Sequence, residues 1–205
     1  MQDLVARDRA APKSDVAAQP LTRGVHHLAL NTDDMKATID FWTEVLGMPL
    51  IHALKVPKGA SGPLNRGNPP YEDMRHYFFD MGNDSTVAFF EIPKGAKGQA
   101  DRDEIGGMQH CSFATTPAAF EELQKRLKAR KIEFLGPMLV LPGVHSIYFY
   151  DNNGIRLEAT CHTADGQNQR IIKGVVQTKA VARAELSTIT TDERWLAKVT
   201  AGLPD

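Results

Sequence analysis

The sequence contains an internal repeat, and this repeat restricts the possible folds more than any other feature. Residues 24–32 (GVHHLALNT) align without a gap with residues 107–115 (GMQHCSFAT), and both segments have a histidine at the fourth position. Each segment is followed by an amphipathic helical pattern and then by strand patterns, the last of which ends near a glutamate. A repeated unit of this kind predicts two similar modules within one chain.

The repeat and the local composition divide the 205 residues into five segments. They are a flexible N-terminal arm at 1–22, a first module at 23–93, a linker at 94–105, a second module at 106–162 and a C-terminal tail with short helices at 163–205. Residues 57–74 are rich in glycine and proline. A loop of this length is either a lid or binding loop, or a disordered insertion.

Each module has a predicted helix with recognisable ends. Asp33 is the predicted N-cap of a helix over residues 34–46, and Gly47 follows its end. In the second module, Thr116 is the predicted cap and Pro117 occupies the first turn. The residues before and after each helix alternate in polarity, as strands do.

Strand parity can place two histidines and two glutamates on the sheet faces turned away from the helices. One histidine opens the first strand of each module and one glutamate closes the last strand; the four are His27, Glu91, His110 and Glu158. Imidazole nitrogen and carboxylate oxygen suit borderline divalent metals such as Zn, Ni, Co, Mn and Fe(II). A cation also relieves the repulsion between two neighbouring carboxylates. The sequence therefore predicts a divalent metal site that can polarise two adjacent substrate oxygens.

Three further polar residues are candidates for binding a substrate. His76 and His145 start corresponding strands of the two modules, and Asn31 shares the predicted face of His27. A structural role is the alternative for both histidines. Tyr148 is interpreted either as a hydrogen-bond donor beside the metal or as a core residue.

Composition excludes several classes of partner. The net charge is -1, so no excess of Lys and Arg is present to neutralise a nucleic acid. No apolar run approaches the roughly 20 residues that cross a bilayer. Because only Cys111 and Cys161 are present, no disulfide framework is predicted, and a reducing cytoplasm is the expected location.

These motifs resemble the vicinal oxygen chelate superfamily, which includes glyoxalase I, extradiol dioxygenases and bleomycin-binding proteins. The resembling segments within residues 24–162 are 27–30 (HLAL), 40–48 (DFWTEVLGM), 107–110 (GMQH) and 148–158 (YFYDNNGIRLE). The resemblance implies an α+β fold of two paired βαβββ modules, in which a mixed sheet curls around a metal cavity. It also implies a homodimer, a small-molecule substrate with vicinal oxygens, and a metal site either within one chain or across the dimer.

The resemblance implies three possible functions. The first is a glyoxalase-type lyase or isomerase, in which all four residues bind the metal and Glu158 or Glu91 also moves a substrate proton. The alternative is an Fe(II) extradiol dioxygenase with His27, His110 and Glu158 as the only ligands and Tyr148 as a catalytic group. A further alternative is a ligand-sequestering protein of the bleomycin-resistance type.

The dioxygenase signature, Tyr-x-x-Asp/Thr-Pro-x-Gly-x-x-x-Glu, matches residues 148–158 with two departures. Asn152 stands where the signature has proline. His145 is closer to Tyr148 than the histidine of the signature is to its tyrosine.

Overall fold

Two four-stranded sheets and the helices between them form the larger part of the structure. The computed structural model describes residues 22, 24–56, 74–95, 98, 101–141, 143–162 and 175–205. Residues 24–174 make up one compact unit, and residues 175–205 belong to a second unit. Apart from residues 22 and 74, the predicted N-terminal arm and the predicted long loop lie outside the described residues.

The first module has the order strand, helix, three strands. Its elements are β1 (His27–Thr32), α1 (Met35–Asp40), a π-helical turn (Phe41–Val45), β2 (Leu50–Lys55), β3 (Arg75–Gly82) and β4 (Ser85–Glu91). The strands lie in the order β1-β4-β3-β2, with β1 parallel to β4 and the other pairs antiparallel.

The second module repeats this plan. Its elements are β5 (Cys111–Thr115), α2 (Pro117–Ala129), β6 (Phe134–Leu141), β7 (Val144–Tyr150) and β8 (Arg156–His162), with the strand order β5-β8-β7-β6. As in the first module, the first and last strands are parallel neighbours. The predicted α+β fold of two βαβββ modules is confirmed, and the sheets are two separate sheets rather than one.

The helix boundaries agree with the sequence except at the first cap. The N-cap of α1 is Asp34, not Asp33, and its side chain accepts the N–H of Ala37 at 3.0 Å. Thr116 caps α2 as predicted. The first helix widens into its π-helical turn before Gly47, whose φ of +71° suits a glycine that ends a helix.

One hydrophobic core joins the helix-side faces of both sheets. Trp42 is fully buried, with its ring 5.1 Å from that of Phe89 on β4 and 6.1 Å from that of Phe113 on β5. The same core contains Phe79 of the first module and Leu157 of the second. Each such side chain contributes about 1.5–3 kcal/mol by burial. Because both sheets turn their helix-side faces inward, their other faces lie on the outside of this core.

The turn between β7 and β8 ties the second module to the first helix. Asp151 accepts a hydrogen bond of 3.4 Å from the indole N–H of Trp42. Asn152 donates from its side-chain amide to the hydroxyl of Thr38 at 3.0 Å. A proline at position 152 has no such donor, so this departure from the family pattern supplies a contact between the modules.

Among its described residues, the second unit has the short helices α3 (Lys179–Leu186) and α4 (Glu193–Val199). Both helices lie within the tail at 163–205 for which the sequence predicts short helices. Asp192 caps α4 by accepting the backbone N–H groups of Arg194 and Trp195. Among the described residues, no helix combines the length and apolar character needed to cross a membrane.

Two glycines near β6 and β7 differ in how much space surrounds them. A Cβ at Gly136 would lie 2.5 Å from the carbonyl oxygen of Ser146, whereas a Cβ at Gly143 would meet no atom of the described residues within 4 Å. Both glycines have positive φ, +108° and +74°. Gly143→Ala should therefore cost only the backbone strain, about 1–2 kcal/mol, and Gly136→Ala about 1–3 kcal/mol more from overpacking. Urea unfolding of both variants measures this difference, and equal losses would show that the close approach has no energetic effect.

Candidate metal centre

The second module brings two predicted ligands into direct contact. Nε2 of His110 lies 2.9 Å from Oε2 of Glu158. Cys111 pairs with Leu157, so His110 lies opposite Arg156. Arg156 is two residues before Glu158, and His110 and Glu158 therefore lie on the same face of the sheet. Two donors that each lie about 2.1 Å from a metal at right angles are about 3 Å apart. The pair therefore fits two adjacent ligands of one cation.

A neighbouring amide orients the imidazole of His110. Nδ1 of His110 hydrogen-bonds to Oε1 of Gln109. In the tautomer that donates from Nδ1 to this amide oxygen, Nε2, the atom nearest Glu158, is available to bind a metal. Metal-binding histidines in proteins are commonly held by such a hydrogen bond from the second ring nitrogen.

Glu158 is a buried carboxylate surrounded by donors. It is 6% exposed. Burial is the largest single influence and raises the pKa of Glu158, but hydrogen bonds from Ser146, Tyr148 and Ser112, with the nearby His110, together outweigh it and hold the pKa below its usual value. A carboxylate with a lowered pKa is a good metal ligand and a weak proton acceptor.

Tyr148 stands directly across from this carboxylate. It is the cross-strand partner of Glu158, and its ring centroid is 5.8 Å from that of His110. Burial, followed by the hydrogen bond and the charge of Glu158, raises the pKa of Tyr148, so the phenol keeps its proton near neutral pH. Of the two interpretations of Tyr148, the position beside the candidate ligands is the one observed.

Sequence reasoning missed the hydroxyl groups around Glu158. Ser112 and Ser146 both contact the hydroxyl of Thr160, at 2.8 and 3.1 Å, and Ser146 is fully buried. Their positions were the available signal. Ser112 lies two residues after His110, and Ser146 lies directly across from Thr160, which is two residues after Glu158. Both serines therefore share the face of the candidate ligands.

The outer face of the first module carries His27 among aromatic rings. The ring of His27 is 5.8 Å from that of Phe78, and the ring of His76 stacks on Phe90 at 3.7 Å. Asn31 pairs with Phe90 on β4 and therefore lies on the same face. The structure thus brings together His27, His76 and Asn31 on one face, as the sequence predicts.

Glu91 lies on the opposite face of the same sheet. His27 pairs with Thr86, and Glu91 is five residues further along β4, an odd number that turns it to the helix side. There Oε1 of Glu91 accepts the N–H of Met35 at 3.0 Å, and Oε2 forms an ion pair with Arg75. The prediction that Glu91 shares a face with His27 is therefore wrong.

Ala88 occupies the position that corresponds to Glu158. It lies two residues after Thr86, the partner of His27, just as Glu158 lies two residues after Arg156. The first module therefore has a methyl group where the second module has the carboxylate. Of the four predicted ligands, His27, His110 and Glu158 lie on the outer faces.

His145 also lies away from the candidate ligands. It pairs with Cys161 and alternates with Ser146 and Tyr148, so it lies on the helix-side face. Its Nδ1 is buried with no hydrogen-bond partner among the described residues. The expectation that His145 lines the same cavity as Glu158 is therefore wrong, for the same reason of strand parity.

Within one chain the candidate centre has two donors in contact. Across the described residues, no group of three or more His, Cys, Asp or Glu side chains lies close enough to hold a metal ion. The pair of His110 and Glu158 fits a metal by its spacing and chemistry, but it needs a third donor from elsewhere.

The chain belongs to the Glyoxalase/Bleomycin resistance protein/Dioxygenase superfamily, whose family model matches residues 24–159. The resemblance to vicinal oxygen chelate proteins is thereby confirmed. A search of curated proteins finds no match.

Solved structures with a similar fold include proteins from three bacteria. A glyoxalase/dioxygenase from Nostoc punctiforme is 26% identical, with a TM-score of 0.51, and the match covers 72% of this chain and 96% of that chain. A glyoxylase/bleomycin resistance protein/dioxygenase domain from Frankia sp. EAN1pec is 19% identical, with a TM-score of 0.54 and coverage of 73% and 96%. A glyoxalase family protein from Enterococcus faecalis is 21% identical, with a TM-score of 0.51 and coverage of 67% and 97%.

The two glutamates should respond differently to the same substitution. Glu158→Gln should lower metal affinity by more than the roughly 10- to 100-fold that loss of an outer partner costs. Glu91→Gln should leave the metal content unchanged and lower the melting temperature, because it weakens the contacts to Met35 and Arg75. Elemental analysis after metal loading and dialysis measures the first effect, and thermal unfolding the second. Metal loss in Glu91→Gln would contradict the assignment of Glu91 to the helix side.

Proposed function

We propose that the protein is a metal-dependent enzyme of the extradiol dioxygenase type, which opens the ring of a catechol-type substrate. The observation that carries this proposal is the set of three donors, two histidines and one carboxylate, with Ala88 at the fourth position. Two histidines and one carboxylate with open positions are typical of non-haem Fe(II) oxygenases. When bound, Fe(II) would supply Lewis-acid activation of the two substrate oxygens and the redox chemistry with dioxygen.

The proposed third ligand is His27 of a second copy of the chain. His27 is exposed on the outer face of its sheet, and the pair of His110 and Glu158 lies on the outer face of the other sheet. Because both helix-side faces share one core, these outer faces of one chain cannot face each other. Two copies related by a twofold axis can bring the first module of one against the second module of the other, and this makes two equivalent sites.

Exposed apolar residues on the edge strands support an association between copies. On β6, Leu135 and Leu139 are 60% and 64% exposed, and on β2, Ile51 is 54% exposed. Both strands are the outermost strands of their sheets. Apolar side chains grouped along a sheet edge favour contact with another protein surface.

His76 is the proposed acid–base residue. Burial, followed by the charges of His27 and His52, lowers the pKa of His76, so its imidazole is neutral near pH 7. Its Nε2 is buried without a hydrogen-bond partner among the described residues. A neutral imidazole with a free nitrogen can take a proton from a substrate hydroxyl. Tyr148, which keeps its proton, can donate a hydrogen bond to a substrate oxygen from the opposite side.

A glyoxalase-type lyase or isomerase is the second candidate. The glyoxalase-type site with four protein ligands requires Glu91 as a ligand, but Glu91 lies on the helix side of its sheet. His76 favours a version in which this histidine, rather than a metal-bound glutamate, moves the substrate proton. Such an enzyme would work with zinc or nickel and would consume no oxygen.

Mixed dimers test whether the site is shared between chains. A heterodimer of His27→Ala and Glu158→Ala should bind about half the metal of the wild type, because one of its two symmetric sites keeps all three ligands. Each homodimer should bind little. Two affinity tags allow the heterodimer to be purified, and elemental analysis measures its metal.

The matched control is a heterodimer of His110→Ala and Glu158→Ala. Both substitutions lie on the second module, so neither site of this heterodimer is complete. Equal metal content in the two heterodimers would contradict a site shared between chains.

Oxygen uptake tests the reaction. The protein loaded with Fe(II) should consume dioxygen when a catechol is added, and His76→Gln should lower kcat by about 100- to 10,000-fold while the metal is retained. His52→Gln is the control, because it keeps His76 and removes a nearby exposed histidine that lies 5.7 Å from Phe78 and only influences the pKa of His76; it should change kcat far less. Isomerase activity with zinc or nickel and no oxygen uptake with iron would favour the second candidate instead.

A further inference from the structure

We infer that Arg156 binds an anionic group of the substrate, so that the substrate is an aromatic vicinal diol that also carries a carboxylate or a similar anion. This inference rests on the proposed function. It identifies a class of substrate and a residue that would select it.

The position of Arg156 places a cation beside the candidate ligands. Arg156 is two residues before Glu158 on β8 and level with His110 on β5, so all three share one face. Two residues of a strand span about 6–7 Å. This is about the distance from the diol oxygens to a carboxylate on the far side of a benzene ring.

The contacts of Arg156 are to neutral groups. Its guanidinium lies over the ring of Tyr148, 4.7 Å from the centroid, and Nη1 donates to Oε1 of Gln109 at 3.3 Å. No carboxylate among the described residues forms an ion pair with Arg156. The side chain is therefore held in place, while its charge is not neutralised by a described acidic residue. A held guanidinium is well suited to bind a carboxylate through two parallel hydrogen bonds.

A second arginine lies at the same end of the sheet, but its charge is partly offset, because Nε of Arg102 forms an ion pair with Asp103 at 3.8 Å. Nη1 of Arg102 donates to the hydroxyl of Tyr150 at 2.8 Å, and Tyr150 is the cross-strand partner of Arg156. A neutral catechol has no anionic group to pair with the guanidinium of Arg156. The arrangement therefore favours anionic over neutral diols.

Binding measurements on zinc-loaded protein test the inference without turnover, since zinc has no redox chemistry. The probes are 3,4-dihydroxybenzoate and catechol, measured by calorimetry. The wild type should bind the acid about 10- to 100-fold more tightly than catechol, as a charged hydrogen bond predicts. Arg156→Gln should remove this preference without changing the affinity for catechol, and Arg156→Lys should keep part of it.

Lys125→Gln is the control, because it removes one positive charge from α2, on the helix side of the sheet. It should leave the preference unchanged. An equal loss of affinity for both probes in Arg156→Gln would overturn the inference, since it would mean that Arg156 only positions His110 through Gln109. An unchanged preference in that variant would overturn it as well.

Benzoate separates this inference from the proposed function. If neither diol binds to the zinc-loaded wild type, the proposed function fails, and benzoate binding to the metal-free protein decides the role of Arg156. Tighter binding of benzoate to the wild type than to Arg156→Gln supports an anion site. Equal binding, or none, overturns it.

Discussion

The pairing of the first and last strands in each module determines which side chains can act together. In a parallel pair, residues opposite each other share a face, and each further residue changes the face. In the second module the glutamate lies two residues past the partner of the histidine, so His110 and Glu158 meet at 2.9 Å. In the first module the offset is five residues, and Glu91 is turned away from His27. The sequence repeat is therefore only partly reproduced in the positions of the side chains.

The two glutamates show how local surroundings give one residue type two roles. Glu158 is surrounded by hydroxyl groups and an imidazole, which favour the carboxylate form and leave it able to bind a cation. Glu91 instead accepts the first N–H of α1 and pairs with Arg75, so its charge stabilises a helix N-terminus and an arginine. Both oxygens of Glu91 already have partners within the chain, so binding a metal would require breaking these contacts.

Local features of the sequence predicted the fold well, whereas the site depended on register. The repeat, the Thr116 cap and Gly47 were sufficient to locate the helices and most strands, because such signals act over a few residues. Glu91 was misplaced because its face relative to His27 depends on how β4 aligns with β1, and His145 because its face relative to Glu158 depends on how β7 aligns with β8. The π-helical turn has no clear sequence signature, since it depends on how the helix packs around Trp42.

The shared core is the physical reason for proposing a site between two copies. Trp42 and its neighbours bury the helix-side faces of both sheets. Asp151 and Asn152 of the second module form hydrogen bonds with Trp42 and Thr38 of the first. With the modules held in this way, the outer faces do not meet each other among the described residues of 24–162. A rearrangement that brought His27 to His110 within one chain would have to expose this core, at a cost of about 1.5–3 kcal/mol for each large side chain. The proposed association of two copies would bring the same ligands together while keeping the core buried, and it would therefore be the less costly route.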